Sequence, residues 1–182
     1  SRVIDYNKFD LIYGGAQKNA GTAGATFVVI NKNILGKVTR AIPSMLDYRT
    51  HVSNGSLFNT PPVYAIYVSM LTLRWLKNMG GAAAIEKIND HKAELLYDTI
   101  DSLPIFKGTV AKEDRSKMNV CFVATNEQIE KEFAELCTKE GMVGVKGHRT
   151  VGGFRVSLYN ALPLESVEAI IDLMKDFAQR KA

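Results

Sequence analysis

The run Tyr13-Gly14-Gly15-Ala16-Gln17-Lys18-Asn19, continued by Ala20-Gly21-Thr22-Ala23-Gly24, places one lysine inside a glycine-rich segment between two short apolar stretches. A partly neutral primary amine can attack an aldehyde and form a Schiff base. Burial lowers a lysine pKa by penalising the charged form, so a crevice at strand ends, where open α/β sheets bind ligands, would suit that chemistry. The same residues also fit a plain solvated lysine in a turn.

The flanks of this loop, Asp10-Leu11-Ile12-Tyr13 and Ala25-Thr26-Phe27-Val28-Val29-Ile30, are short, β-branched or aromatic and bounded by turn residues. They read as buried strands of a parallel sheet. Lys32 to Arg40 reads as one or two amphipathic helical turns, and 41–61, with Pro43, Asn54-Gly55 and Pro61-Pro62, as a long functional or interfacial loop. Val63 to Met79 predicts a helix stopped by Gly80-Gly81. Its apolar residues, Trp75 and the other aromatics among them, are spread nearly all round, which predicts burial in a core or a subunit contact. A second helix follows over 82–103, with Ile85, Ile88, Ala93, Leu95, Leu96 and Ile100 as its apolar set and Pro104 closing it.

From about residue 104 the rhythm changes. Strands are predicted at 106–110, 118–124, 142–146 and 154–159, and helices at 126–140, ended by Gly141, and 164–180. This is the pattern of a small α+β unit with helices on one sheet face.

The chain has 182 residues, of which 46% are apolar, and 23 basic against 19 acidic side chains give a net charge of +4. That length can bury one sizeable core or two small ones. Without a Lys/Arg stripe the mild positive excess fits small anionic ligands better than nucleic acid. Cys121 and Cys137 do not form a disulfide framework, and His51, His91 and His148 lack metal-ligand spacing, so no metal is expected. No apolar run has membrane-spanning length and no signal peptide opens the chain, so a soluble, cytoplasmic protein is expected. A strand so close to Ser1 is expected to belong to a longer protein.

Four motifs in order resemble the phosphoserine aminotransferase family, pyridoxal-phosphate enzymes of the aspartate-aminotransferase fold type: Gly15-Ala16-Gln17-Lys18-Asn19, Phe58-Asn59-Thr60-Pro61-Pro62, Gly147-His148-Arg149, and Gly152-Gly153-Phe154-Arg155-Val156-Ser157-Leu158-Tyr159-Asn160-Ala161. The resemblance covers the whole chain. It implies an α/β fold in which residues 1–80 are the remainder of the cofactor-binding large domain and 81–182 the small C-terminal α+β domain, entered by the helix at about 82–103. It implies pyridoxal 5'-phosphate as cofactor, held covalently by Lys18, with Gln17 on its phosphate. Asn59 and Thr60 would reach the cofactor phosphate of a homodimer partner. Arg155 would fork onto the substrate α-carboxylate, as lysine cannot. His148 and Arg149 would hold the distal anion, phosphate or carboxylate. The implied reaction exchanges the amino group between L-glutamate and 3-phosphohydroxypyruvate, giving O-phospho-L-serine and 2-oxoglutarate in serine biosynthesis.

The family's carboxylate for the pyridine nitrogen and its stacking aromatic are expected upstream of Ser1, in a missing N-terminal half, so the chain alone is expected to have negligible activity. Two other readings stand beside this one. One is a non-catalytic folded C-terminal fragment. The other is a relative of the same fold type, an alanine–glyoxylate aminotransferase or a cysteine desulfurase, against which Gln17-Lys18-Asn19 and Gly147-His148-Arg149 argue. Plainer uses also remain: Arg155 as a sheet-edge charge, Asn59-Thr60 as a helix N-cap, His148 as a turn residue.

Overall fold

A computed structural model describes residues 1–148, 150 and 152–181, and the chain divides into two units, Arg2–Ala82 and Ala83–Ala182 with Ser1.

In the first unit, β1 (Leu11–Gly15) and β2 (Thr26–Ile30) pair antiparallel, with Leu11 opposite Ile30 and Gly15 opposite Thr26. This corrects the expected parallel pairing. Residues 16–25 only turn the chain back on itself, whereas parallel neighbours need a crossover of a dozen or more residues. The segment expected to be one long loop contains a 3-10 turn at Ser44–Leu46 and α1 (Tyr48–Ser53), capped by the Asp47 carboxylate, which accepts the Arg49 N–H at 2.9 Å. Then comes α2 (Val63–Asn78).

Burial in this unit departs from expectation. Tyr13, Val29, Tyr64 and Trp75 are 74, 48, 74 and 38% exposed, so neither the strands nor the helix aromatics form a core. The inward stripe of α2 is narrow: only Ala65 and Ser69, one turn apart, are buried.

The second unit carries its own core. α3 (Gly81–Ser102) buries Ile85, Asn89, Ala93, Leu96 and Ile100 at helical spacing, while Ile88 faces solvent. β3 (Phe106–Gly108), β4 (Asn119–Ala124) and β5 (Phe154–Ser157) form an antiparallel sheet in the order β3-β4-β5. α4 (Glu127–Lys139) starts at Asn126, whose side chain accepts the Ile129 N–H, and α5 (Leu164–Lys181) closes the unit.

Alternation along the strands puts Phe106, Val120, Phe122, Phe154 and Val156 on one face, where Phe133 of α4 and Phe177 of α5 meet them. Phe133 is fully buried, with ring centroids 5.0 Å from Phe106 and 5.2 Å from both Phe154 and Phe177. Tilted and edge-on contacts at this spacing stabilise aromatic clusters. The expected strand at 142–146 reduces to one bridge, Lys146 to Phe154, because Gly144 turns the chain at φ +81°. No helix among the described residues is long and apolar enough to cross a membrane.

Candidate functional site

Lys18 sits at the tip of the β1–β2 hairpin. Ala16 is fully buried; its N–H donates to Ala25 O at 2.9 Å and its carbonyl accepts from Ala20 N at 3.1 Å, which pinches the loop around Gln17, Lys18 and Asn19. Lys18 adopts φ +81°, a left-handed conformation that costs a non-glycine residue about 1–2 kcal/mol. Such strain persists only where the surroundings impose it.

The surroundings here are α2. Gly21 has φ +144°, and a Cβ on it would lie 2.6 Å from Ser69 Oγ and 3.0 Å from Ser69 Cα. A Cβ on Gly24 would lie 3.2 Å from that of Ala65. Small residues on both partners therefore let the loop lie directly on the helix. The Ser69 hydroxyl is buried there without a hydrogen-bond partner among the described residues. Lys18 and Gln17 themselves are exposed at the hairpin tip, in line with the solvated alternative. The Gln17 amide folds back over Gly15, into the volume that a Cβ there would occupy.

Asn59 and Thr60 are exposed on the strap before α2, and neither caps the helix: the N-cap is Pro62, which offers no side-chain hydrogen bond. Both side chains are left without a hydrogen bond among the described residues. The preceding Phe58 packs edge-on against His51, at 6.4 Å and 83°.

In the second unit, Arg155 lies on β5 opposite Cys121 of β4, between the inward-facing Phe154 and Val156, and so projects from the sheet face opposite the helices. His148 stands on the turn that leads into β5. The limbs of that turn are tied by Gly147 N–H to Gly153 O at 2.8 Å and by Gly152 N–H to His148 O at 2.9 Å. His148 Nδ1 is 2.8 Å from Thr150 Oγ1. Arg149 lies outside the described residues.

Gly153, at φ +64°, passes so close to β4 that a Cβ would meet Phe122 O at 2.7 Å and Val123 Cγ1 at 2.8 Å. Its N–H donates to Glu130 Oε1 of α4 at 2.9 Å. Glu130 and Ser69 escaped the sequence reading. A small pair at 65 and 69 in an otherwise bulky apolar helix was a usable signal for Ser69, whereas nothing local marks Glu130.

A cavity of about 810 Å³ opens between α4 and residues 142–146, and Cys137 lines it. Burial pushes that thiol up to about 11, so it stays protonated and unreactive. Cys121 sits within β4 rather than on a loop, and both cysteines are free. Among the described residues no His, Cys, Asp and Glu cluster could hold a metal ion.

The family profile described as "Aminotransferase class-V" matches residues 1–170. The phosphoserine aminotransferase of Porphyromonas gingivalis (strain ATCC 33277) is 57% identical over 179 residues, which are 97% of this chain and 50% of that protein. The solved structure of phosphoserine aminotransferase from Bacillus circulans subsp. alkalophilus superposes with a TM-score of 0.93 at 42% identity, over 100% of this chain and 50% of that one. A pyridoxal-phosphate-bound phosphoserine aminotransferase from Trichomonas vaginalis gives 0.86 at 38% identity, covering 95% of this chain and 50% of that one. The chain thus spans about half the length of the relatives it matches.

Proposed function

The chain belongs to the class-V aminotransferase family, and from that premise we propose that it is the C-terminal part of a phosphoserine transaminase, exchanging the amino group between L-glutamate and 3-phosphohydroxypyruvate. The observation that carries this reading is Lys18, held left-handed at the tip of a loop locked onto α2.

The donor set fits pyridoxal phosphate: a primary amine for the aldehyde, with amides and a hydroxyl for the phosphate. Gly14 leaves the strand beside them open, with no heavy atom within 4 Å of an added Cβ. When bound, the cofactor supplies an electron sink that makes the substrate α-proton acidic. Lys18 would hold it covalently and move the proton at the substrate α-carbon, as base and then acid. Gln17 would donate to its phosphate, and Asn59 and Thr60 to that of a homodimer partner. Their exposure and open hydrogen-bonding capacity support this use.

Arg155 would orient substrate through two parallel hydrogen bonds to the α-carboxylate. His148 and Arg149 would receive the distal phosphate or carboxylate. Residues 1–80 would complete the cofactor-binding domain, and 81–182 would be the small domain.

The test is mass spectrometry with peptide mapping after pyridoxal phosphate and borohydride treatment. A reduced adduct concentrated on Lys18 is expected, and equal labelling of the surface lysines would refute the assignment. One observation favours a second reading, a folded piece without activity of its own. Nearly all the exposed large apolar side chains fall in the first unit; among the described residues the second exposes only Ile88, Val110 and Val143.

A further inference from the structure

Asn59 and Thr60 belong to a strap, 58–61, that no backbone hydrogen bond holds among the described residues. Its downstream end is stiff, because Pro61 confines Thr60 to extended backbone and Pro62 stands at the start of α2. Its upstream end is Phe58, whose ring meets that of His51 edge-on at 6.4 Å and 83°, an arrangement aromatic pairs favour.

His51, in α1, is itself tied on both sides of that helix. Its Nε2 lies 3.0 Å from Met45 O, and because a carbonyl can only accept, Nε2 carries the hydrogen. Its own carbonyl accepts the Ser56 N–H at 2.8 Å, while Gly55 N–H donates to Val52 O at 3.3 Å with Gly55 at φ +58°. This pair of bonds is the left-handed wrap that closes a helix C-terminus. Tyr48 also sets its ring 6.4 Å from the imidazole. A helix of six residues has little stability of its own, so such ties decide whether α1 holds its shape. One side chain therefore links Met45 before the helix to Phe58 after it.

We propose that His51 is a positioning residue, which anchors Phe58 and thereby presents Asn59 and Thr60 to the cofactor phosphate. The proposal rests on reading those two residues as phosphate donors. His51 itself touches neither cofactor nor substrate. Without the anchor, only the prolines define the strap, so the phosphate must order Asn59 and Thr60 as it binds, and affinity falls.

The test compares pyridoxal phosphate with pyridoxal, which lacks the phosphate, on the 182-residue chain. Occupancy of Lys18 is read by borohydride reduction and peptide mapping, and the ratio of the two affinities isolates the share of the phosphate. The parent should favour pyridoxal phosphate. His51→Ala should lower the ratio about tenfold, the scale of ordering two side chains on binding, and leave pyridoxal affinity unchanged. His51→Phe keeps a ring for Phe58 and loses only the N–H, so it should stay within about threefold of the parent. With Asn59 and Thr60 both replaced by alanine, His51→Ala should change the ratio no further. In the unloaded chain, nuclear magnetic resonance relaxation should show the Asn59 and Thr60 amides more mobile in His51→Ala and unchanged in His51→Phe. A parent-like ratio in His51→Ala, or an equal loss of both affinities, would overturn the positioning role. A parent Lys18 that takes pyridoxal and pyridoxal phosphate equally would instead overturn the phosphate reading of Asn59 and Thr60.

Discussion

Gly21→Ala tests whether the Lys18 loop is held by direct contact with α2. The added methyl meets Ser69 Oγ at 2.6 Å, a distance that real Cβ contacts essentially never show, and Ser69 Cα at 3.0 Å, which is also tight. Forcing a side chain onto a backbone at φ +144° costs about 1–3 kcal/mol. Overpacking against a helix costs about 1–3 kcal/mol more, so the sum is about 2–6 kcal/mol. Ser69→Ala removes the nearer of the two atoms. It also removes a buried hydroxyl without a partner, a group that costs about 1–3 kcal/mol to bury, so alone it should be neutral or stabilising. In combination it should recover about 1–2 kcal/mol and no more, since the backbone strain and the approach to Ser69 Cα persist. Trp75, the only tryptophan, lies on the same helix as Ser69, so urea unfolding followed by its fluorescence reads this unit directly. Unchanged unfolding of Gly21→Ala, or strict additivity of the two substitutions, would refute the contact as the source of the constraint.

Phe133→Ala, at the meeting point of the Phe106, Phe154 and Phe177 rings, should cost about 3–5 kcal/mol, read as lost hydrogen-exchange protection in β4; a cost under about 1 kcal/mol would contradict the packing. The Arg115 guanidinium beside Asp101, helped by Lys112, lowers that carboxyl from 3.8 to about 2. A depressed carboxylate stabilises the fold fully above the unfolded value and loses that contribution as pH falls through about 2. Because Asp101 is solvent-exposed, the contribution is discounted to about 1 kcal/mol. Asp101→Asn should flatten the acid limb of stability between about pH 4 and 2, and an unchanged limb would show that the pair adds nothing.

The second unit was legible from its periodicities. The apolar positions of α3, α4 and α5 repeat at helical spacing, and Gly141 ends α4 in the left-handed conformation expected of it, at φ +73°. The 142–146 strand failed because composition favours extension there while a single left-handed Gly144 breaks the ladder. A core built from β1, β2 and Trp75 does not form within the first unit, for a different reason. Apolar residues around a whole helix register a demand for cover, which periodicity cannot locate in space. For the site, Lys18 was marked by its glycines, but what holds it, Ala65 and Ser69 in a helix far along the chain, is a tertiary fact. The same holds for Glu130, whose partner is a backbone N–H with no sequence signature.

The strict alternation at Phe154, Arg155 and Val156 makes the length of the preceding turn as constrained as its composition. A single inserted or deleted residue between Gly147 and Gly153 that was passed on into β5 would exchange the two faces of the strand. The guanidinium would then be driven among the phenylalanines and the Phe154 ring turned out to water. Length variation here is therefore tolerable only where the turn absorbs it before Phe154, and the glycine pair at 152 and 153 is the last place where that can happen.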